Sequence, residues 1–247
     1  MMAILREYYR PATVAEAVSL LAEGGGRLAP LAGGAALVGQ LETRSAPEIQ
    51  GVVDLRELGL DGIDADPETV RLGATATLTA VMEHEVAGRM AGGILSRAAR
   101  GEGPVNLRNA ATVGGVVAGA APDSEFYAAL LALDARVVTV NGQGESTQLL
   151  AEMGEVEGLI TVVILPRREP GSGLARIAVT PSDRPIVAAI AVVGEDGADR
   201  VALCGVADRP VLYGGALDPA GDFKASGKYR LEMAEVVTRR ALAEAMR

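Results

Sequence analysis

Histidine and cysteine are almost absent from this 247-residue chain, which carries only His84 and Cys204. A single cysteine excludes an internal disulfide and an iron–sulfur cluster held by this chain alone. No metal centre or nucleophilic triad drawn from several histidines and cysteines can be assembled, and no metal ligand or catalytic residue is expected here. His84 by itself reads as a surface or structural residue, and Cys204 as a buried packing residue. Positive charge is also scarce. Lys and Arg number 23 against 32 Asp and Glu, a formal net charge of −9. That balance argues against nucleic acid or an anionic membrane as the main partner, so an anionic ligand has to be held by local donors. No apolar run approaches the ~20 residues needed to span a bilayer, and the start MMAILREYYRP has no signal-peptide core. A soluble, cytoplasmic protein without a membrane span is expected.

What is present suits a globular chain of one large domain or two small ones: 49% hydrophobic and 22% charged residues. The segment 106–134 stands out. Asn106, Arg108 and Asn109 lead to Thr112, Val113, Gly114 and Gly115, then to small residues, Pro122-Asp123-Ser124-Glu125 and an apolar helical stretch ending near Asp134. Paired glycines allow another group close to bare N–H donors, Thr112 adds a hydroxyl, and the following helix start adds unpaired N–H groups. The stretch is either a phosphate or pyrophosphate cradle without lysine or a plain glycine-rich turn. Asp123 reads as the cap of the helix after it.

A second glycine turn has the same character. Thr13 and Glu16 have capping-box spacing, an apolar stripe follows, and Gly24-Gly25-Gly26 end the helix. Residues 27–31 read as a strand running into Gly33-Gly34 and a small helix over 35–41. The spacing is not that of the dinucleotide fingerprint G-x-G-x-x-G. Strands are expected at 51–55, 69–73, 136–140 and 159–165, helices at 78–90 and 91–100, and a hairpin turn at Asn141-Gly142. The stretch 167–173, RREPGSG, has linker composition and is expected to divide the chain. Strands at 174–179, 186–193 and 201–207 and a helix over 226–246 complete the pattern: an α/β portion followed by an α+β tail.

In combination, five segments resemble the FAD-binding subunits of molybdenum hydroxylases, the group containing the medium subunit of carbon monoxide dehydrogenase and the flavin domain of xanthine dehydrogenase. YYRPATVAEAVSLLAE is similar to the family's opening strand and helix. PLAGGAALVGQL is similar to its first flavin loop, A-G-G-T-D-L-L, and VRLGATATLTAVMEH to its IGA-T-TL segment. NLRNAATVGGVVAGAAPDSEFYAALLALDA is similar to its IRN-ATIGGN segment, and SGKYRLEMAEVVTRRALAEA to its terminal helix.

The resemblance implies an α+β fold, with a two-lobed FAD-binding domain over residues 1–168 and a small C-terminal domain of antiparallel sheet and helix over 169–247. It implies FAD as cofactor. The contacts it implies are Ala32, Gly33, Gly34, Ala35, Ala36 and Leu37, then Thr112, Val113, Gly114 and Gly115, together with Ile160 and a polar contact from Glu125. An aspartate at Gly114 is expected to abolish flavin binding without unfolding the chain. Phe126 and Tyr127 either shield the flavin or pack the core, and Tyr8 and Tyr9 either meet a partner or ring or pack the first strand. The implied role is electron transfer, from [2Fe-2S] clusters on a small subunit to the flavin and on to an acceptor. A separate large subunit would oxidise the substrate at its molybdenum cofactor, and the assembly would be a dimer of heterotrimers.

Several residues depart from the family pattern. Ala35-Ala36 replaces a polar pair such as Thr-Asp, Val116 an Asn, Glu42 a Lys and Ala128 a Pro, and the chain is shorter after Leu203. The lost phosphate contacts support an alternative, a flavin-free structural paralogue that only docks to partner subunits.

Overall fold

The computed structural model describes residues 5–167, 171–194 and 199–247. It opens with β1 (Glu7–Tyr9), α1 (Val14–Gly24), β2 (Leu28–Leu31), α2 (Leu37–Thr43) and β3 (Gly51–Asp54). These strands form a parallel sheet in the order β1-β3-β2. The capping box forms in part as read: Thr13 Oγ1 accepts the Glu16 N–H at 3.2 Å, while the Glu16 carboxylate reaches back to the Ala12 N–H at 3.0 Å. Ala17, Leu28, Val53 and Leu55 make a small core beneath this sheet.

Strands β4 (Ile63–Ala65) and β5 (Thr69–Gly73) begin the second lobe. Helices α3 (Leu78–Glu83), α4 (Met90–Gly101), α5 (Val105–Ala110), α6 (Val113–Gly119) and α7 (Glu125–Ala132) follow, then β6 (Arg136–Asn141), β7 (Gly144–Leu149) and β8 (Leu159–Pro166). The strands form an antiparallel sheet in the order β4-β5-β8-β6-β7. Three expected features shift. The helix expected over 78–90 stops at His84, whose Nδ1 accepts the Ala87 N–H at 3.2 Å and turns the chain. Ala91, Gly92 and Gly93 all have positive φ, so regular helix resumes only at Ile94. The hairpin closes on Asn141 opposite Gly144, which leaves Gly142-Gln143 as its loop, one residue later than expected; Asn141 Oδ1 accepts the Gln143 N–H at 2.9 Å.

The last unit is a sheet of β9 (Ser172–Ile177), β10 (Val187–Val192), β11 (Arg200–Cys204) and β12 (Val211–Leu212), in the order β12-β11-β10-β9, with α8 (Gly227–Ala245) packed on it. Its central strand explains the unbroken apolar run VAAIAV. Side chains alternate across a strand. Val187, Ala189 and Ala191 face α8 with Ala234, Val237 and Ala241, while Ala188, Ile190 and Val192 join Phe126, Leu130 and the rest of the central core. That central core runs continuously from the five-stranded sheet through the wholly buried α7 into the four-stranded sheet. The division expected at 168/169 falls on residues outside the described ones, and β9 starts at Ser172, so Ser172 and Gly173 at the end of the RREPGSG stretch are strand rather than linker. Among the described residues no helix is long and apolar enough to cross a membrane.

Candidate functional site

The first glycine turn, between β2 and α2, is held open rather than closed. Among the described residues, the N–H groups of Gly33, Gly34, Ala35 and Ala36 have no acceptor, and the start of α2 has no side-chain cap. Gly34 has φ +74°, a conformation that disfavours a side chain. Gly33 packs directly against α5: a Cβ there would lie 1.5 Å from the Ala110 carbonyl oxygen. The turn therefore presents a row of free donors at a helix N-terminus, the electrostatic arrangement that suits an anion.

The second turn is built differently. Thr77 and Thr112, each capping a helix, face each other across an isolated antiparallel bridge. The Val113 N–H donates to Ala76 O at 2.9 Å, Gly114 N–H to Ala74 O at 2.8 Å, Gly115 N–H to Thr112 Oγ1 at 3.2 Å and Val116 N–H to Thr112 O at 2.9 Å. The bare donors expected here are thus already in use. A Cβ on Gly114 would lie 2.8 Å from Ala74 Cβ and 2.9 Å from Ala74 O, so this glycine answers to packing, and an aspartate there would disturb the fold as well as any ligand. Gly115 is exposed and offers a surface, not donors.

Both turns line one cavity of about 770 Å³, within the range of small-molecule and cofactor sites. Ala32, Gly33, Gly34, Ala35, Ala36 and Leu37 all contribute to its wall, as do Thr112, Gly114, Gly115 and Ile160. Two expected residues do not. Val113 is fully buried in the central core. Glu125 is 1% exposed and turns its carboxylate toward Arg176 Nε, 3.2 Å away, and Ser124 rather than Asp123 caps α7. Ser124 Oγ accepts the Tyr127 N–H at 3.0 Å. Phe126 and Tyr127 are core residues, and Tyr8 donates its hydroxyl to the buried Asp54.

The cavity also has residues that the sequence reading missed. Glu102, Ser124 and Arg184 form one polar wall. Arg184, on the connection between β9 and β10, is bonded to Glu102 and, at 2.6 Å, to Asp123. Glu102 also accepts the Ser124 hydroxyl at 2.6 Å and the Phe126 N–H at 2.9 Å. Residues 102 and 184 lie 82 positions apart, and no local pattern marks either. Burial alone would lower the Arg184 pKa, but the Glu102 and Asp123 carboxylates raise it above its ordinary value. Glu125 goes the other way for a carboxyl: burial, opposed by Arg176 and reinforced by Glu102, pushes it up to about 7. Neither Glu125 Oε1 nor Arg176 Nε completes a hydrogen bond, so their ion pair offsets that burial only in part. Among the described residues no group of three or more His, Cys, Asp and Glu is placed to hold a metal ion.

Comparison with known proteins gives this cavity its context. The medium chain of carbon monoxide dehydrogenase from Afipia carboxidovorans is 29% identical over 97% of this chain and 96% of its own. Subunit alpha of the 6-hydroxypseudooxynicotine dehydrogenase complex from Paenarthrobacter nicotinovorans is 33% identical over 68% of this chain and 60% of its own. In fold, the chain superposes on the reconstituted CO dehydrogenase from Oligotropha carboxidovorans with a TM-score of 0.91 at 24% identity, covering 99% of each chain. Residues 3–168 match the family described as the FAD binding domain in molybdopterin dehydrogenase, and the chain belongs to that family.

Proposed function

We propose that this chain is the flavin-carrying electron-transfer subunit of a molybdenum hydroxylase, with FAD held in the cavity between the two glycine turns. The observation that carries the reading is the row of free N–H donors at Gly33–Ala36, on the wall of a cavity with a single cationic side chain among its described lining residues. In a chain of net charge −9, backbone donors are a way to hold a pyrophosphate without a basic field. The cavity fits the cofactor in other respects. Gly33 is as small as its contact with Ala110 demands, and the wall is mostly apolar around a few polar groups.

In this reading Gly33, Gly34, Ala35 and Ala36 bind the pyrophosphate through their N–H groups, and Leu37 continues the wall into α2. Thr112, Gly114 and Gly115 supply a close, smooth surface opposite. Ile160, 5% exposed on β8, offers an apolar contact for a ring. Val113 and Glu125 act behind the wall, through packing and charge. Bound FAD supplies the redox chemistry, and the protein positions it and controls access to it. The electron donor is a partner subunit with [2Fe-2S] clusters, a large partner carries the molybdenum cofactor, and the working assembly is a dimer of heterotrimers. The family match and the near-full-length likeness to a CO dehydrogenase medium chain support its place as one subunit among several.

A flavin-free docking paralogue is the second reading. Ala35 and Ala36 favour it, since both line the cavity and neither carries a polar side chain. An absorbance spectrum of the purified chain before and after adding FAD, with released cofactor identified, separates the two. Stoichiometric flavin is expected; no uptake at high FAD would leave the docking role.

A further inference from the structure

Two charged side chains stand on the described cavity wall, Glu102 and Arg184, and they are bonded to each other. Glu102 is 4% exposed and has its other oxygen occupied by Ser124 and Phe126. Arg184 retains 34% of its side-chain exposure, and one terminal nitrogen is held by Asp123. The connection that carries Arg184 is braced from behind, since Arg176 donates to the carbonyls of Pro181 and Asp183. A guanidinium fixed by two carboxylates on one side and open to the cavity on the other is a built feature of the site, and stability alone does not explain why a cation is retained there. It comes from the four-stranded sheet, whereas the free N–H donors come from the first lobe.

We propose that Arg184 is the cation with which the C-terminal sheet faces the flavin ring, that it favours the reduced flavin over the oxidised one, and that Glu102 and Asp123 position it and moderate its charge. The inference rests on the FAD reading above. Taking up two electrons and one proton leaves a flavin with one more negative charge than its oxidised form. A fixed positive charge in a water-poor site therefore favours the reduced form and raises the potential.

The test uses the full chain loaded with FAD and equilibrated against a reference dye during reduction, with ADP affinity measured alongside. At the potential where the wild type is half reduced, Arg184→Gln is expected to lower the ratio of reduced to oxidised flavin about tenfold, equivalent to about 30 mV for a two-electron couple. Glu102→Gln keeps an acceptor for Ser124 and Phe126 but removes a counter-charge, and is expected to move the ratio the opposite way. A merely structural role would not reverse sign between the two. Arg184→Lys, which keeps the charge, should stay near the wild type. Bound FAD with an unchanged ratio in the variants overturns the inference and leaves the FAD reading intact. Loss of both FAD and ADP affinity in Arg184→Gln without a change in ratio also overturns it, placing Arg184 on the phosphates. A wild type that takes up no FAD overturns the reading beneath. Should Arg184→Gln fail to fold, the Glu102→Gln shift decides alone.

Discussion

Gly33 lies so close to Ala110 that a Cβ on it would sit 1.5 Å from the Ala110 carbonyl oxygen. The contact joins the turn after β2 to the end of α5 and so sets the spacing of the two glycine turns. Gly33→Ala should cost about 1–3 kcal/mol of stability through this overpacking and weaken FAD binding together with it. A denaturation midpoint and an FAD titration on the same preparation check both. Unchanged stability would show that the turns can separate freely.

Gly115→Glu is the cleaner probe of the ligand. Gly115 is exposed onto the cavity, and the only close contact of a new Cβ is Thr112 Oγ1 at 2.9 Å. Glutamate at this position, three residues after the capping Thr112, matches the capping-box pattern and suits a helix N-terminus. Thermal stability should change little, while the added negative charge should reduce FAD affinity tenfold or more. Full FAD affinity in the variant would place the phosphates away from α6.

Ala35→Thr should act in the opposite direction. A hydroxyl on this half-buried cavity residue can donate to a phosphate oxygen, and a hydrogen bond to a charged group contributes about 1.5–3 kcal/mol. FAD should bind roughly tenfold or more tightly, as read by quenching of flavin fluorescence. Unchanged or weaker affinity would move the pyrophosphate off this turn.

Glu125 gives a pH signature. Its pKa in the folded chain is raised to about 7 from 4.5, by burial first. The folded state therefore holds a proton that the unfolded state releases, and stability falls as pH rises from about 4.5 to about 7, by about 1.4 kcal/mol per pH unit. Below that window the contribution is fully present, and above it the loss is complete. Glu125→Gln, which resembles the protonated acid, should remove this slope and leave the variant more stable than wild type at pH 8. Urea midpoints at pH 5, 6, 7 and 8 test it, and parallel profiles for both proteins would mean that Glu125 is ionised throughout.

The local elements were legible because their signals are local. Thr13 with Glu16, and Ser226 before α8, cap their helices as the side-chain chemistry requires. The expected strand over 69–73 is β5 to the residue, and the strand expected over 186–193 contains β10. The short helices between β5 and β6 were harder. Their ends depend on Ala91–Gly93 turning left-handed and on Ser124 rather than Asp123 taking the cap, choices between near-equal neighbours that packing decides.

The sequence by itself determined the family, the two glycine turns and ten of the residues that line the cavity, because glycine spacing, caps and apolar periodicity act over a few residues. Only the tertiary structure decided what each glycine is for. Gly114 packs on Ala74 with its N–H already bonded, while Gly33 leaves its N–H free. Likewise the polar wall of Glu102 and Arg184 exists only because the β9–β10 connection folds back onto the end of α4. A hydrogen bond between side chains 82 positions apart leaves no trace in either neighbourhood, since its partners are brought together by the core and not by the chain between them.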